Sequence, residues 1–169
     1  MGIVSFFKEA GQKLFGHKEA EAAAQEAQAA PDDADRQARI AEANTTAAAA
    51  IATYIGAQNL SADGLSVAFD AASSTVTVAG VAADQATKEK ILLCCGNVHG
   101  VEQVSDLMTV AEPADESQYH TVARGDTLSA IAKTQYGNAS QYPKIFEANK
   151  PMLSNPDKIY PGQVLRIPA

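Results

Sequence analysis

The stretch at residues 90–104, in which a helix meets a glycine-containing turn and then a strand, constrains the fold more than any other. Its apolar run Ile-Leu-Leu-Cys-Cys ends a helix. Gly96 follows where a left-handed cap is expected, because glycine has no Cβ to clash there. The last carbonyls of a helix have no partners within it, so their oxygens form a candidate cation site at this corner. Most corners of this kind bind only water, and the pattern alone leaves both alternatives open.

The charge of the chain argues against one class of function. The 169 residues carry a net charge of −7, which is unfavourable for a nucleic-acid binder that works by neutralising phosphates. Residues 1–116 hold 17 Asp/Glu against 7 Lys/Arg, a net −10, whereas residues 117–169 hold 3 against 6, a net +3. Opposite signs favour docking of two domains on each other, although independent domains would give the same split. We expect a monomer without a nucleic-acid partner.

The N-terminus lacks the features of an export signal. Lys8 and Glu9 interrupt its apolar residues, no small-residue cleavage site follows, and no run of eighteen apolar residues occurs in the sequence. We therefore expect a cytoplasmic protein without a transmembrane segment. Cys94 and Cys95 are adjacent on a helix and poorly placed to bridge each other, so we interpret them as reduced core residues.

Two segments precede the first domain. Within residues 1–16, apolar side chains recur at helical spacing over residues 3–15, and Gly11 weakens the predicted helix in its middle. This segment could pack on the protein's own core, lie on a membrane or fold over a ligand. Residues 17–35 are rich in Ala, Glu and Gln but have almost no apolar stripe, which predicts a solvated helix or a linker.

Residues 36–111 predict a small domain of helix, strand, strand, helix and strand. Alternating apolar residues indicate the first two strands, and Asp84 is an expected cap of the second helix. The order predicts a three-stranded sheet covered by two helices. The predicted elements lie at residues 36–57, 65–69, 76–80, 84–95 and 101–110.

This region resembles a BON domain, an αββαβ fold. The resemblance depends on a Val-x-Gly-Val motif, a helix, and then a Gly-x-x-x-Gly-Val-x-x-Val motif. The residues that match are Val78, Gly80, Val81, Gly96, Gly100, Val101 and Val104.

After a polar linker at residues 112–117, residues 118–169 resemble a LysM domain. The Gly-Asp-Thr-Leu turn at 125–128 and the closing sequence at 159–168 carry the resemblance, which implies a βααβ order and makes the whole chain a two-domain α+β protein. In this family, amino sugars of peptidoglycan or chitin lie in a groove beside that turn. The corresponding positions, which otherwise serve as structural caps and turns, are Gly125, Asp126, Thr127, Leu128, Asn155, Asp157, Lys158 and Ile159.

The sequence offers little support for catalysis. His17, His99 and His120 lie in different segments, and the sequence has no HExxH, GxSxG or CxxC pattern. The glycines of the corner follow a helix rather than open one, so they do not predict a phosphate-binding loop. We expect a protein that is not an enzyme.

The whole arrangement, a BON unit and a LysM unit behind a segment ending in Glu-Ala-Gly-Gln-Lys-Leu-Phe, resembles a family of bacterial cytoplasmic potassium-binding proteins. The resemblance implies that the ligand is potassium, that backbone carbonyls hold it, and that the protein senses or buffers the ion by changing conformation. Several neutral oxygens suit potassium, whereas a carboxylate cage favours calcium. The alternative is a glycan-binding protein of the cell envelope. The implied carbonyl ligands are those of Phe7, Ala10, Gln12, Gly96, Val98 and Val101.

Overall fold

The structure is a computed structural model that describes residues 2–5 and 34–169. The first unit contains β1 (Gly2–Ser5), α1 (Ala34–Ala57), β2 (Asp63–Asp70), β3 (Thr75–Asp84), α2 (Gln85–Gly96) and β4 (Gln103–Glu112). The second contains β5 (Gln118–Thr121), α3 (Leu128–Tyr136), a 3-10 turn (Ala139–Gln141), α4 (Tyr142–Ala148) and β6 (Val164–Ile167). This mixture of helices and strands in two units confirms the predicted α+β class. None of the helices at residues 34–169 combines the length and apolar character of a membrane span.

The sheet of the first unit has four strands in the order β1-β4-β3-β2 rather than the three that were predicted. The parallel pair is β3 and β4, and β1 pairs antiparallel to β4 with Val4 opposite Val104. The prediction of a helix over residues 3–15 is therefore wrong for residues 3–5, and its remaining residues lie outside the described part. The β-branched residues Ile3 and Val4 suit a strand, and they supply hydrogen-bonding partners to the edge of β4.

Helices α1 and α2 pack on one face of this sheet. Val81 and Leu107 alternate with the strand residues that face the helices, and they are 42% and 41% exposed. All residues of α2 from Ile91 to Gly96 are buried, because α2 also contacts β6 of the second unit on another side. The buried strand residues toward the helices are Val76, Val78, Ala82, Val104 and Met108.

The second unit is built on the antiparallel pair of β5 and β6, in which His120 lies opposite Leu165. Thr127 caps α3, since its hydroxyl accepts a hydrogen bond from the amide of Ala130 at 3.1 Å. Gly137 ends this helix in the left-handed conformation. The core of the unit consists of Val122, Leu128, Ile131, Ala132, Ile145, Leu153, Leu165 and Ile167.

Gly80 lies at a close approach between β2 and β3. Its φ is +140°, and a Cβ built there would lie 3.1 Å from both the carbonyl oxygen of Asp63 and the Cα of Leu65. The register of the two strands shifts between Asp63 and Ser66 at the same place. The Val-x-Gly-Val motif therefore places a glycine where a side chain would meet backbone atoms of β2 at unusually short distances.

The substitution Gly80→Ala is expected to lower the free energy of unfolding by about 2 kcal/mol, from backbone strain and overpacking combined. A suitable control is Gly56→Ala in α1, where a new Cβ meets nothing within 4 Å. That variant should be neutral or more stable by up to about 1 kcal/mol, because Ala is the better helix former. Urea denaturation followed by circular dichroism measures both, and equal stability of the two variants would contradict the close-approach interpretation.

Candidate functional site

The corner between α2 and β4 is formed by successive tight turns. The amide of Asn97 donates to the carbonyl of Leu93 at 3.0 Å, which closes the last turn of the helix. The amide of Val98 then donates to Cys95 at 3.2 Å, and the amide of Val101 donates to Val98 at 3.2 Å. Because of these turns, the chain passes from the buried end of α2 to the start of β4 within a few residues.

The prediction that Gly96 adopts a left-handed cap is wrong. The residue belongs to α2, and the C-cap is Asn97 with φ −86° and ψ 0°. The positive φ of the corner, +85°, occurs at Gly100 instead. Because Asn97 keeps the chain in a right-handed turn, the reversal toward β4 is delayed to the next glycine, where positive φ carries little strain.

Two carbonyls of this corner have no backbone donor within residues 34–169. Gly96 and Val101 are buried, and no backbone amide among residues 34–169 donates to the carbonyl oxygen of either. The carbonyl of Val98, between them, accepts a hydrogen bond from the amide of Val101. Since buried carbonyls are ordinarily paired with a donor, an ordered water or an ion, this corner is suited to receive one of the latter two.

The oxygen atoms at the corner are suited to bind a large, hard, monovalent cation. They belong to neutral carbonyls, and nowhere in the described ranges do three or more His, Cys, Asp or Glu side chains come together as a metal site. Burial raises the pKa of the neighbouring Cys94 thiol to about 12, which keeps the thiol uncharged at neutral pH. Of the six predicted ligands, Gly96, Val98 and Val101 lie together at this corner. The other three, Phe7, Ala10 and Gln12, lie outside the described residues.

A buried carboxylate lies about two helical turns before Gly96, where α2 meets the second unit. Glu89 is 2% exposed, and one of its oxygens accepts from the side-chain amide of Gln85 at 2.9 Å and from the backbone amide of Ser117 at 2.8 Å. Its other oxygen is paired with the guanidinium of Arg166 on β6. Burial alone would raise the pKa of this carboxyl, but the bonds from Arg166, Gln85 and Ser117 outweigh it and lower the pKa.

Replacement Glu89→Gln is expected to destabilise the protein at pH 7 by about 2 kcal/mol, the usual size of a lost hydrogen bond to a charged group. Because the folded pKa of Glu89 lies below its ordinary value of 4.5, its contribution is complete above that pH. The contribution is lost as the pH falls through the folded pKa, so the difference between wild type and variant should shrink below about pH 4.5. Urea denaturation at a series of pH values measures this difference.

The control is Glu147→Gln, which alters a carboxylate whose side chain is 63% exposed and paired with Lys150. An exposed pair contributes little, so this variant should change stability by less than about 0.5 kcal/mol at any pH. A difference between wild type and Glu89→Gln that stays constant with pH would contradict the ionised state assigned to Glu89.

The second unit carries a groove between the start of α3 and the loop before β6. It brings together three of the residues predicted for a glycan site, Thr127, Leu128 and Asp157, with three that the sequence reasoning missed. Among the missed residues, Tyr142 is 37% exposed and could have been noticed as a lone aromatic beside a helix-starting proline. The other two are Ser129 and Pro156.

The remaining residues of the predicted glycan set have structural contacts. The carboxylate of Asp126 accepts from the amide of Ala123 at 2.9 Å and lies 3.0 Å from the imidazole of His120. Asn155 stabilises its own loop, since its side-chain oxygen accepts from the amide of Asp157 at 2.8 Å and its carbonyl accepts from the amide of Lys158 at 3.1 Å. Gly125 has a positive φ in the turn, and Ile159 packs on the core of the second unit.

Comparison with known families defines the class of protein. Residues 43–112 match the family model of the BON domain, and residues 120–168 match that of the LysM domain. The chain is thus a two-domain BON and LysM protein.

Comparison with whole proteins then gives the family. The chain is 44% identical over 172 aligned residues to the Potassium binding protein Kbp of Escherichia coli O6:H1, with 99% of each protein covered. It belongs to the Kbp family. An uncharacterized protein of Deinococcus radiodurans is 40% identical over 75 residues, which cover 43% of this chain and 29% of that protein.

Proposed function

We propose that this protein binds a potassium ion, without catalysis, at the corner between α2 and β4. The observation that carries the proposal is the pair of buried carbonyls, those of Gly96 and Val101, to which no backbone amide of residues 34–169 donates. The family supports the identity of the ion, since the relative from Escherichia coli is named a potassium binding protein.

The proposed site uses six backbone carbonyls, three from the corner and three from the N-terminal segment. Neutral carbonyl dipoles can replace the hydration shell of potassium without the high charge density that would favour a divalent ion. Since the ligands are main-chain atoms, their side chains can vary as long as the backbone path is kept. The ligands are the carbonyls of Phe7, Ala10, Gln12, Gly96, Val98 and Val101.

We further propose that the protein acts in the cytoplasm as a sensor or buffer of potassium. Ligation would join the proposed ligands Phe7, Ala10 and Gln12, which follow β1 in the sequence, to the corner and thereby favour one conformation over another. The contacts of α2 with β6 place the second unit next to the corner, where it can respond to that change.

The first experiment is a titration of the potassium-free protein with potassium and, separately, with sodium, followed by amide shifts in NMR. Saturable shifts with potassium alone, concentrated at residues 96–101 and 7–12, are the expected result. Weak shifts of equal size with both salts, spread over the surface, would indicate only screening of charges and would overturn the proposal.

A variant of the corner makes this test sharper. The change Gly100→Ala introduces a Cβ into open space but at a φ of +85°, where an L-residue costs about 1 kcal/mol. If that cost is relieved only by a shift of the corner, the affinity for potassium falls by up to about fivefold. The matched control is Gly137→Ala, which has a φ of +73° and equally open surroundings at the end of α3. It should leave the affinity unchanged, and an equal loss in both variants would count against the corner.

A second candidate function is favoured by the groove of the LysM unit, which presents the exposed ring of Tyr142 beside Thr127 and Asp157. An aromatic ring with nearby polar groups suits the apolar face and the amide substituents of an amino-sugar oligomer. Titration with chitotetraose distinguishes this function. Saturable shifts at residues 127–129 and 156–157, abolished by Tyr142→Ala, would support it, and their absence in the wild type would exclude this ligand.

A further inference from the structure

The side chain of Asn97, in the middle of the proposed potassium corner, is bonded to the backbone of the second unit. Its Oδ1 accepts a hydrogen bond from the amide of Val164 at 3.0 Å, and its Nδ2 donates to the carbonyl of the same residue at 3.1 Å. A side-chain amide that pairs with both polar groups of one residue imitates a neighbouring β-strand. The side chain of Asn97 therefore pairs with the edge of β6 as a neighbouring strand would.

A second asparagine makes the same arrangement two residues further along β6. The Oδ1 of Asn149 accepts from the amide of Arg166 at 2.8 Å, and its Nδ2 donates to the carbonyl of Arg166 at 2.8 Å. The edge of β6 that faces away from β5 is thus paired by two side chains. Asn149 comes from the same unit as the strand, whereas Asn97 comes from the BON unit.

These bonds hold the cation corner from outside the BON unit. The backbone amide of Asn97 is bonded to Leu93, and both polar atoms of its side chain are bonded to Val164. Val164 is itself only 4% exposed and packs in the core of the BON unit, so the strand that receives Asn97 is fixed in place. The peptide group that precedes Asn97 carries the carbonyl of Gly96, and the carbonyl of Val98 lies in the second peptide group after it.

We infer that Asn97 is a positioning residue, which aims the carbonyls of Gly96 and Val98 at the ion by anchoring the corner to strand β6 of the LysM unit. This inference rests on the proposed function. An asparagine suits the position because it supplies one donor and one acceptor at the required reach. Aspartate can accept from the amide of Val164 but cannot donate to its carbonyl, which would remain buried without that partner.

The test compares Asn97→Ala with the wild type by NMR titration with potassium and with sodium. We expect the affinity for potassium to fall by about tenfold, the factor that corresponds to one or two hydrogen bonds of ordinary net strength. We also expect the ratio of potassium to sodium affinity to fall, because loosely held carbonyls adapt to either ion. In the wild type the amide of Val164 should shift with the corner on addition of potassium, and in the variant this shift should be lost.

Two controls separate anchoring of the corner from loss of folding or of domain docking. Asn149→Ala removes the same arrangement from the same strand without touching the corner, and it should bind potassium within about twofold of the wild type. If that variant does not fold, Glu89→Gln serves instead, since it weakens the contact of the two units nearer the middle of α2, away from the corner. A reduced affinity of equal size in the folded control and in Asn97→Ala would overturn the inference.

The outcomes for the inference and for the proposed function differ. A wild-type protein that fails to bind potassium would overturn both. A wild type that binds potassium with shifts at the corner, together with an Asn97→Ala variant of unchanged affinity and selectivity, would overturn the role of Asn97 alone.

Discussion

The burial of α2 on more than one side is the constraint on which the rest of the structure depends. The helix packs on β3 and β4 and also contacts β6, so its residues from Ile91 to Gly96 are buried without a break. Polar groups on the buried sides of such a helix cannot reach water. Its carboxylate at Glu89 needs Arg166, and the carbonyls at its end need partners of their own. The domain contact and the candidate site are therefore two consequences of the same burial.

Most elements of the fold could be predicted because their signals are local. Apolar alternation indicated β2 and β3, and Asp84 caps α2 as expected, accepting from the amide of Thr87 at 2.7 Å. The fourth strand could not be predicted, because Gly2–Ser5 is too short to show a period and its pairing depends on an edge about a hundred residues away. The left-handed residue was assigned to the wrong glycine, since the choice depends on what Asn97 bonds to in the folded chain.

The candidate site was less accessible to sequence reasoning for a related reason. Backbone carbonyls leave no signature in residue types, so the six proposed ligands came from a resemblance to a family rather than from a motif. Contacts between residues that are distant in the sequence leave even less of a signature. The hydrogen-bonded residues Asn97 and Val164, for example, are 67 residues apart. The groove of the LysM unit is intermediate, because only some of its residues could be predicted from the sequence. Its turn residues form a motif, whereas Tyr142 joins them only through the packing of α4.

The packing of Val164 has a consequence for how such proteins can be assembled by recombination. Residues 120–168 match a module of their own, yet the side chain of this valine belongs to the core of the other unit. A gene rearrangement that moved the module elsewhere would take with it a piece of its neighbour's interior. Because β6 contributes to both units in this way, separating the two modules would remove part of the core of the BON unit. We therefore expect the two modules to be inherited together.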